Sequence, residues 1–183
     1  MGLFQLEHSK SAYRVDFILY GLAVVGIAGA LLSVAPHARL GWLSLLALTG
    51  LCAWSGMEYL LHRFVLHGMA PFQRWHMAHH ERPTALICTP TLVSASLVLT
   101  LVFLPMWAAL DLWGAAAITL GVMTGYLLYA LTHHATHHWR SDTTWARKRK
   151  RWHALHHHTE YPGFYGVTTS LWDTLCGTDG RPR

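Results

Sequence analysis

Apolar and polar positions along this chain fall into long blocks rather than short alternations. Four runs stay apolar for about the 20 residues that a helix needs to cross a hydrocarbon core. They lie at roughly 17–35, 40–61, 86–110 and 112–132. The third carries Pro90 and Pro105, which predicts a kink or an irregular entry; prolines are tolerated in a spanning helix where neighbours re-satisfy the freed backbone groups. Polar, histidine-rich segments follow the second and fourth runs, at 62–85 and 133–183. The pattern predicts an all-α membrane protein: four transmembrane helices with a cytoplasmic helical cap, forming a single domain over 1–183. The first run lacks a small-residue cleavage site and exceeds the apolar core of a signal peptide, so it is expected to be retained.

Composition supports the membrane reading. Apolar residues make up 52% of the chain and charged residues 13%, too few charges to cover a soluble domain of this size. Thirteen of the fourteen Lys and Arg residues fall on one side of a four-span arrangement, leaving only Arg39 on the other. The excess of positive charge in cytoplasmic loops then places both termini and the loop after the second span in the cytoplasm. The net charge of +5 gathers on that face, where anionic headgroups attract it. RKRKR at 147–151 is accordingly read as facing a lipid surface, and no nucleic-acid partner is expected. Cys52, Cys88 and Cys176 show no paired spacing, so neither a disulfide framework nor a thiolate metal site is expected.

The histidines change the picture. Of fifteen, His8 and His37 stand alone; thirteen form HRFVLH (62–67), HMAHH (76–80), HHATHH (133–138) and HALHHH (153–158). All four clusters lie on the expected cytoplasmic side, and two begin where a span ends. His76, His79 and His80 stand at i, i+3 and i+4, which a helix puts on one face, and so do His153, His156 and His157. His133 and His137, four apart, also share a face. His62 and His67 are five apart, about 140° around a regular helix, and converge only if the helix ends or bulges between them. Neutral imidazole is the commonest protein metal ligand, and one ion seldom takes more than three or four. About ten candidate ligands therefore imply two metal ions, or one site with redundancy. Glu58, four residues before His62, is either a carboxylate that orients that ring or an interfacial group at a span end.

In these segments the chain resembles the integral-membrane fatty acid hydroxylase and sterol desaturase superfamily, above all the catalytic domain of fatty acid 2-hydroxylases. The resemblance rests on EYLLHRFVLH (58–67), HMAHH (76–80), GYLLYALTHHATHH (125–138) and WHALHHHTEYPGFYGVTTSLWDTLCGT (152–178). It implies metal ligation by His62, His67, His76, His79, His80, His133, His137, His138, His153, His156 and His157, while His134 and His158 stay outside the core set. It further implies two iron ions (replaceable by zinc in overexpressed protein), O₂, a membrane lipid substrate and electrons from an external donor of cytochrome b5 or ferredoxin type. Iron suits imidazole and is redox-active, as zinc is not. The 147–151 run is expected to dock that donor. Phe164, Tyr165, Leu171 and Trp172 are candidates for the wall of the site or for interfacial anchoring, with packing of the short C-terminal helix against the cap as the plainer role of Trp172. Asp173 is expected either to pair locally or to meet a ligand imidazole.

Three departures from the family pattern stand out. Tyr129-Ala130 replaces the frequent Tyr-Asp before the third box, Phe72 stands where the 2-hydroxylases carry a further histidine, and only sixteen residues precede the first span. From the last, no fused cytochrome b5 domain is expected; with the compact length it points to a bacterial inner membrane rather than the endoplasmic reticulum. The expected activity is insertion of one oxygen from O₂ into a C–H bond of a fatty acyl chain or acyl lipid. The alternative is a carotenoid ring or sterol hydroxylase or desaturase, against which the tail GVTTSLWDTLCGT speaks. A metal transporter would place its ligands at mid-membrane depth; here they gather beyond the span ends.

Overall fold

Prolines and small residues decide where the helices of this chain start, bulge and stop. The computed structural model describes residues 7–159 and 162–180. Among them every element is helical: α1 (Lys10–Ser33), α2 (Leu40–Leu60), α3 (Phe72–Glu81), α4 (Thr91–Val98), α5 (Leu104–Ala109), α6 (Leu112–His138), α7 (Thr144–His158) and α8 (Leu171–Cys176). Four stretches are long and apolar enough to cross a membrane: Lys10–Ser33, His37–Leu66, Thr91–Ala109 and Leu112–His138. The protein is thus a multi-pass membrane protein, as the four apolar runs predict. The chain divides into two compact units, Met1–Trp54 with Cys88–Leu127, and Ser55–Ile87 with Leu128–Arg183.

In the first unit, Ser9 caps α1 by accepting a hydrogen bond from the Ala12 amide at 3.2 Å. Span three begins later than its hydropathy predicts, because Pro90 has no amide hydrogen to give and stands just before α4. The expected irregularity at Pro105 takes the form of a π-helical stretch, Leu99–Phe103, between α4 and α5. Such a bulge absorbs the carbonyl that a proline ring would otherwise strike. Val25, Leu32 and Leu101 are about two-thirds exposed, as suits side chains that face lipid tails.

Leu31, Ala35, Leu43, Leu46 and Ala117 form the apolar core of this unit. Close approach of backbones does the rest. A Cβ at Gly121 would run into the Ala47 carbonyl and stand 2.6 Å from the Leu51 amide nitrogen, while one at Gly50 would strike the Ile118 carbonyl. Small residues at such crossings are what lets membrane helices pack. Polar ties join α1 to α4: Thr91 donates to the Asp16 carboxylate at 2.6 Å, and Tyr20 donates to Ser94 at 2.7 Å. Gly121→Leu is therefore expected to abolish recovery of monodisperse protein in detergent, read by size-exclusion chromatography; normal recovery would mean that α2 and α6 do not pack this closely.

In the second unit, α2 runs on as a π-helical turn, Leu61–Leu66, closed by a hydrogen bond from the His67 amide to the His62 carbonyl at 3.2 Å. Of the two expected ways for these histidines to converge, a helix end or a bulge, the i to i+5 bond is the bulge. It brings the two rings to 5.3 Å between centroids. Thr143 caps α7 from the Ala146 amide at 3.2 Å, and α7 turns Arg149, His153 and His156 inward at helical spacing. Arg147, Lys148 and Arg151 remain exposed. The basic run is therefore not one continuous surface, because Arg149 is only 4% exposed. Trp172 packs its ring against Gly56 and donates to Ser55 at 3.1 Å, the packing role rather than an interfacial one. Leu171 stays exposed.

Candidate metal centre

Helix periodicity and one π-turn carry nine imidazoles of the second unit into two adjacent groups, with a tenth between them. The first contains His62 and His67 from the π-turn, His76 from α3 and His156 from α7. The second contains His79 from α3, His133 and His137 from α6, and His153 and His157 from α7. Within each group the ligand nitrogens all lie within 4.8 Å of one another. His80 stands between the groups: its Nε2 is 3.1 Å from the Nε2 atoms of both His76 and His156, and its ring stacks on His157 at 4.2 Å.

Ten of the eleven expected ligands are therefore brought together. His138 is not: it is exposed and stacks on His134 at 4.6 Å. His134 and His158 also lie outside both groups.

The donor set fits metal ions. His62 donates its Nδ1–H to the Tyr165 carbonyl at 2.6 Å, and His156 donates its Nδ1–H to the Gly163 carbonyl at 2.9 Å. A neutral imidazole has a single N–H, so the Nε2 atoms of both rings carry lone pairs. Those lone pairs point among other ring nitrogens: His62 Nε2 is 3.0 Å from His76 Nε2, and His156 Nε2 is 3.1 Å from His67 Nε2. In the second group His153 Nε2 lies 2.7 Å from His137 Nε2 and 3.1 Å from His157 Nε2. Both nitrogens of His79 and the Nε2 of His133 are buried and have no hydrogen-bond partner among the described residues. Converging lone pairs and orphaned buried nitrogens are unfavourable alone, costing about 1–3 kcal/mol for each unsatisfied group. A cation in each group removes that penalty.

Burial also keeps the ligands neutral. Desolvation, helped by the neighbouring imidazoles, pulls His79 down to about 3, His80 to about 4, and His156 and His157 to about 2. The Gly163 carbonyl offsets part of the fall at His156. His76 and His153 also fall well below the ordinary 6.5, again mainly through desolvation.

The sign of the pH effect follows. An unfolded chain takes up protons on these rings as pH drops through about 6.5, and the folded metal-free chain refuses them until about 4 or below. The contribution of these rings to stability is whole above 6.5 and shrinks as the medium acidifies towards 4. Metal-stripped protein is expected to melt at a clearly lower temperature at pH 5 than at pH 7.5; an unchanged midpoint would mean that the rings are not buried neutral.

Two acids support the site without touching an imidazole. Glu58, 2% exposed, accepts from the Val167 amide at 2.7 Å, the Thr168 amide at 2.9 Å and the Thr168 hydroxyl. It is thus not the acceptor for His62, whose Nδ1 meets the Tyr165 carbonyl instead. Asp173, fully buried, accepts from the amides of Tyr165 and Gly166 at 2.8 Å each, from Thr178 Oγ1 at 2.7 Å and from Trp152 Nε1 at 3.3 Å. That is the local pairing expected for it. The Tyr165 ring stands 5.5–5.7 Å from His62, His67 and His156 and walls the first group on one side. Phe164 packs edge-on against Trp152 instead.

Sequence reasoning missed the carbonyl acceptors Gly163 and Tyr165, since any residue type supplies a carbonyl; the GFYG turn was the available signal. Glu58→Ala leaves two amide donors without an acceptor and is expected to lower the melting temperature by several degrees, with Glu58→Gln milder; equal melting of all three proteins would refute the clamp.

Histidines in two groups that could each hold a metal ion, in a chain with four helices long and apolar enough to cross a membrane, define a membrane protein with a candidate metal centre. Comparison with known proteins gives the family. The fatty acid hydroxylase family model matches residues 47–178, and the chain belongs to that family. It is 32% identical over 151 residues to the dihydroceramide fatty acyl 2-hydroxylase FAH2 of Arabidopsis thaliana, covering 74% of this chain and 61% of that protein. It is 30% identical over 149 residues to the ceramide very long chain fatty acid hydroxylase scs7 of Schizosaccharomyces pombe, covering 72% of this chain and 41% of that one. The human fatty acid 2-hydroxylase is 30% identical over 141 residues, covering 70% and 37%. The chain thus spans about two-fifths to three-fifths of the length of these relatives. The solved structure of full-length scs7p, in which only the hydroxylase domain is visible, superposes with a TM-score of 0.80 at 26% identity, covering 93% of this chain and 69% of that one. These relatives come from a plant, a yeast and a mammal, which gives the expected bacterial inner membrane no support.

Proposed function

We propose that this protein is a lipid hydroxylase that inserts one oxygen atom of O₂ into a C–H bond of a fatty acyl chain, free or in a ceramide-type lipid. The observation that carries the reading is the pair of neutral imidazole groups, nine rings in all, in a chain of the fatty acid hydroxylase family. The names of the relatives supply the substrate class. His62, His67, His76 and His156 would hold one metal ion, with His80 Nε2 turned to the same group, and His79, His133, His137, His153 and His157 a second. Iron there would supply the redox chemistry with O₂ that a saturated C–H bond demands and that zinc lacks.

The chain's own residues do the remaining work. Burial keeps the imidazoles unprotonated at neutral pH, the Gly163 and Tyr165 carbonyls aim two of them, and the Tyr165 ring keeps water from one side of the first group. One turnover converts a C–H bond, O₂, two electrons and two protons into C–OH and water. The electrons come from a cytochrome b5 or ferredoxin type donor, and exposed Arg147, Lys148 and Arg151 offer an acidic donor a positive surface. The bias of basic residues puts both termini and this surface in the cytoplasm.

Expression in a lipid-producing host with a matched reductant should yield acyl lipids heavier by one oxygen than those of a host carrying a histidine-ligand variant. Identical lipid profiles, with iron-loaded protein present, would contradict the proposal.

A further inference from the structure

The two histidine groups are not built alike. In the first, two ligands have their outer nitrogen anchored: His62 on the Tyr165 carbonyl and His156 on the Gly163 carbonyl. Both carbonyls belong to one short turn. That turn passes through Phe164 at φ 59°, a left-handed conformation rare outside glycine. It is held by Asp173, whose Oδ1 accepts from the Tyr165 amide and Thr178, and whose Oδ2 accepts from the Gly166 amide and Trp152. Gly166 leaves the room this requires, since a Cβ there would stand 2.9 Å from Asp173 Oδ2. In the second group the Nδ1 atoms of His153 and His157 are buried and have no hydrogen-bond partner among the described residues, and His79 has none at either nitrogen.

Such outer contacts fix the tautomer and the ring orientation and raise ligand basicity. Losing one typically costs 10–100-fold in metal affinity. The number of rings does not offset the difference, because His80 Nε2 gives the first group a fifth nitrogen.

We propose that Asp173 is a positioning residue that makes the two metal positions unequal: acting through the Gly163–Gly166 turn, it aims His62 and His156, so the position they share with His67 and His76 keeps its metal when the other has lost it. This rests on the two-metal reading above and adds an order of occupancy to it. When metal is scarce, the chain fills the first position before the second and stands half-loaded.

The test follows metal content rather than activity. Purified, fully loaded protein is equilibrated with rising chelator, and metal per chain is measured by mass spectrometry. Wild type should release its two ions in two steps separated by about tenfold or more in chelator. His153→Ala should lack the easy step and His62→Ala the hard one. Asp173→Asn keeps one acceptor oxygen and loses the other. It should move the hard step towards the easy one by about 10–100-fold and leave the easy step in place. Thr178→Val, which removes a single donor to Asp173, should move it less, and it serves if the asparagine variant does not fold. Refilling stripped protein with cobalt adds a spectroscopic readout: the first equivalent should give one visible spectrum and the second another, with Asp173→Asn altering the first.

Release of both ions in one step, an equal shift of both steps in Asp173→Asn, or retention at the His153 position would overturn the proposal. A protein that binds neither native metal nor cobalt would instead sink the two-metal reading beneath it.

Discussion

His156→Ala is expected to leave a folded protein that holds one metal ion fewer per chain and has lost its hydroxylase activity by more than about 100-fold, beyond what losing an outer contact costs. The size of the effect follows from where the ring stands. His156 Nε2 is 3.1 Å from the Nε2 atoms of both His67 and His80, and its other nitrogen is committed to Gly163. The matching control is His138→Ala. That ring is exposed and stacked on His134 outside both groups, so metal content should be unchanged and activity within about twofold, the range of a surface substitution. Metal content by mass spectrometry and product formation by lipid analysis check both variants. If the His138 variant lost metal while the His156 variant kept it, the assignment of rings would be wrong.

The second large effect concerns the nature of the metal. Stripping the protein with a chelator is expected to abolish hydroxylation and lower the melting temperature together, because a ligand that binds only the folded state stabilises it. Zinc and iron then separate the two consequences. Zinc should restore the melting temperature, since it satisfies the same imidazole lone pairs, but give no product, having no redox chemistry. Ferrous iron, with a reductant and O₂, should restore both. Product formation by zinc-loaded protein would remove oxidation from the account.

How far the chain announced all this differs from part to part. The four spans follow from unbroken apolar runs, a signal that a bilayer makes strong. The grouping of the histidines follows from helical spacing in three clusters, and from the five-residue gap between His62 and His67 in the fourth, which no regular helix could close. The π-turn at Leu61–Leu66 is that requirement in physical form.

Other features left weaker traces. The fourth span continues as helix to His138, past the point where hydropathy ends, because the i, i+4 pair His133 and His137 carries the helical face on after the apolar residues stop. Arg149 sits in a run of five basic residues, and only the phase of α7, set by His153 and His156, shows that it turns inward. The partners of Glu58 lie 109 and 110 residues away, and the acceptors of His62 and His156 are main-chain carbonyls. Contacts of that kind arise from tertiary folding of the loop after α7, and no local pattern encodes them.

Everything proposed for this chain turns on whether a histidine-bound metal pair delivers oxygen from the gas to a lipid carbon. Purified, iron-loaded protein, given a reductant, a ceramide-type acyl lipid and oxygen-18 gas, tests this in one reaction read by mass spectrometry. A hydroxylated acyl chain carrying the heavy label is the predicted result. Product whose new oxygen comes from water, or no product from protein with both positions filled with iron, would contradict it.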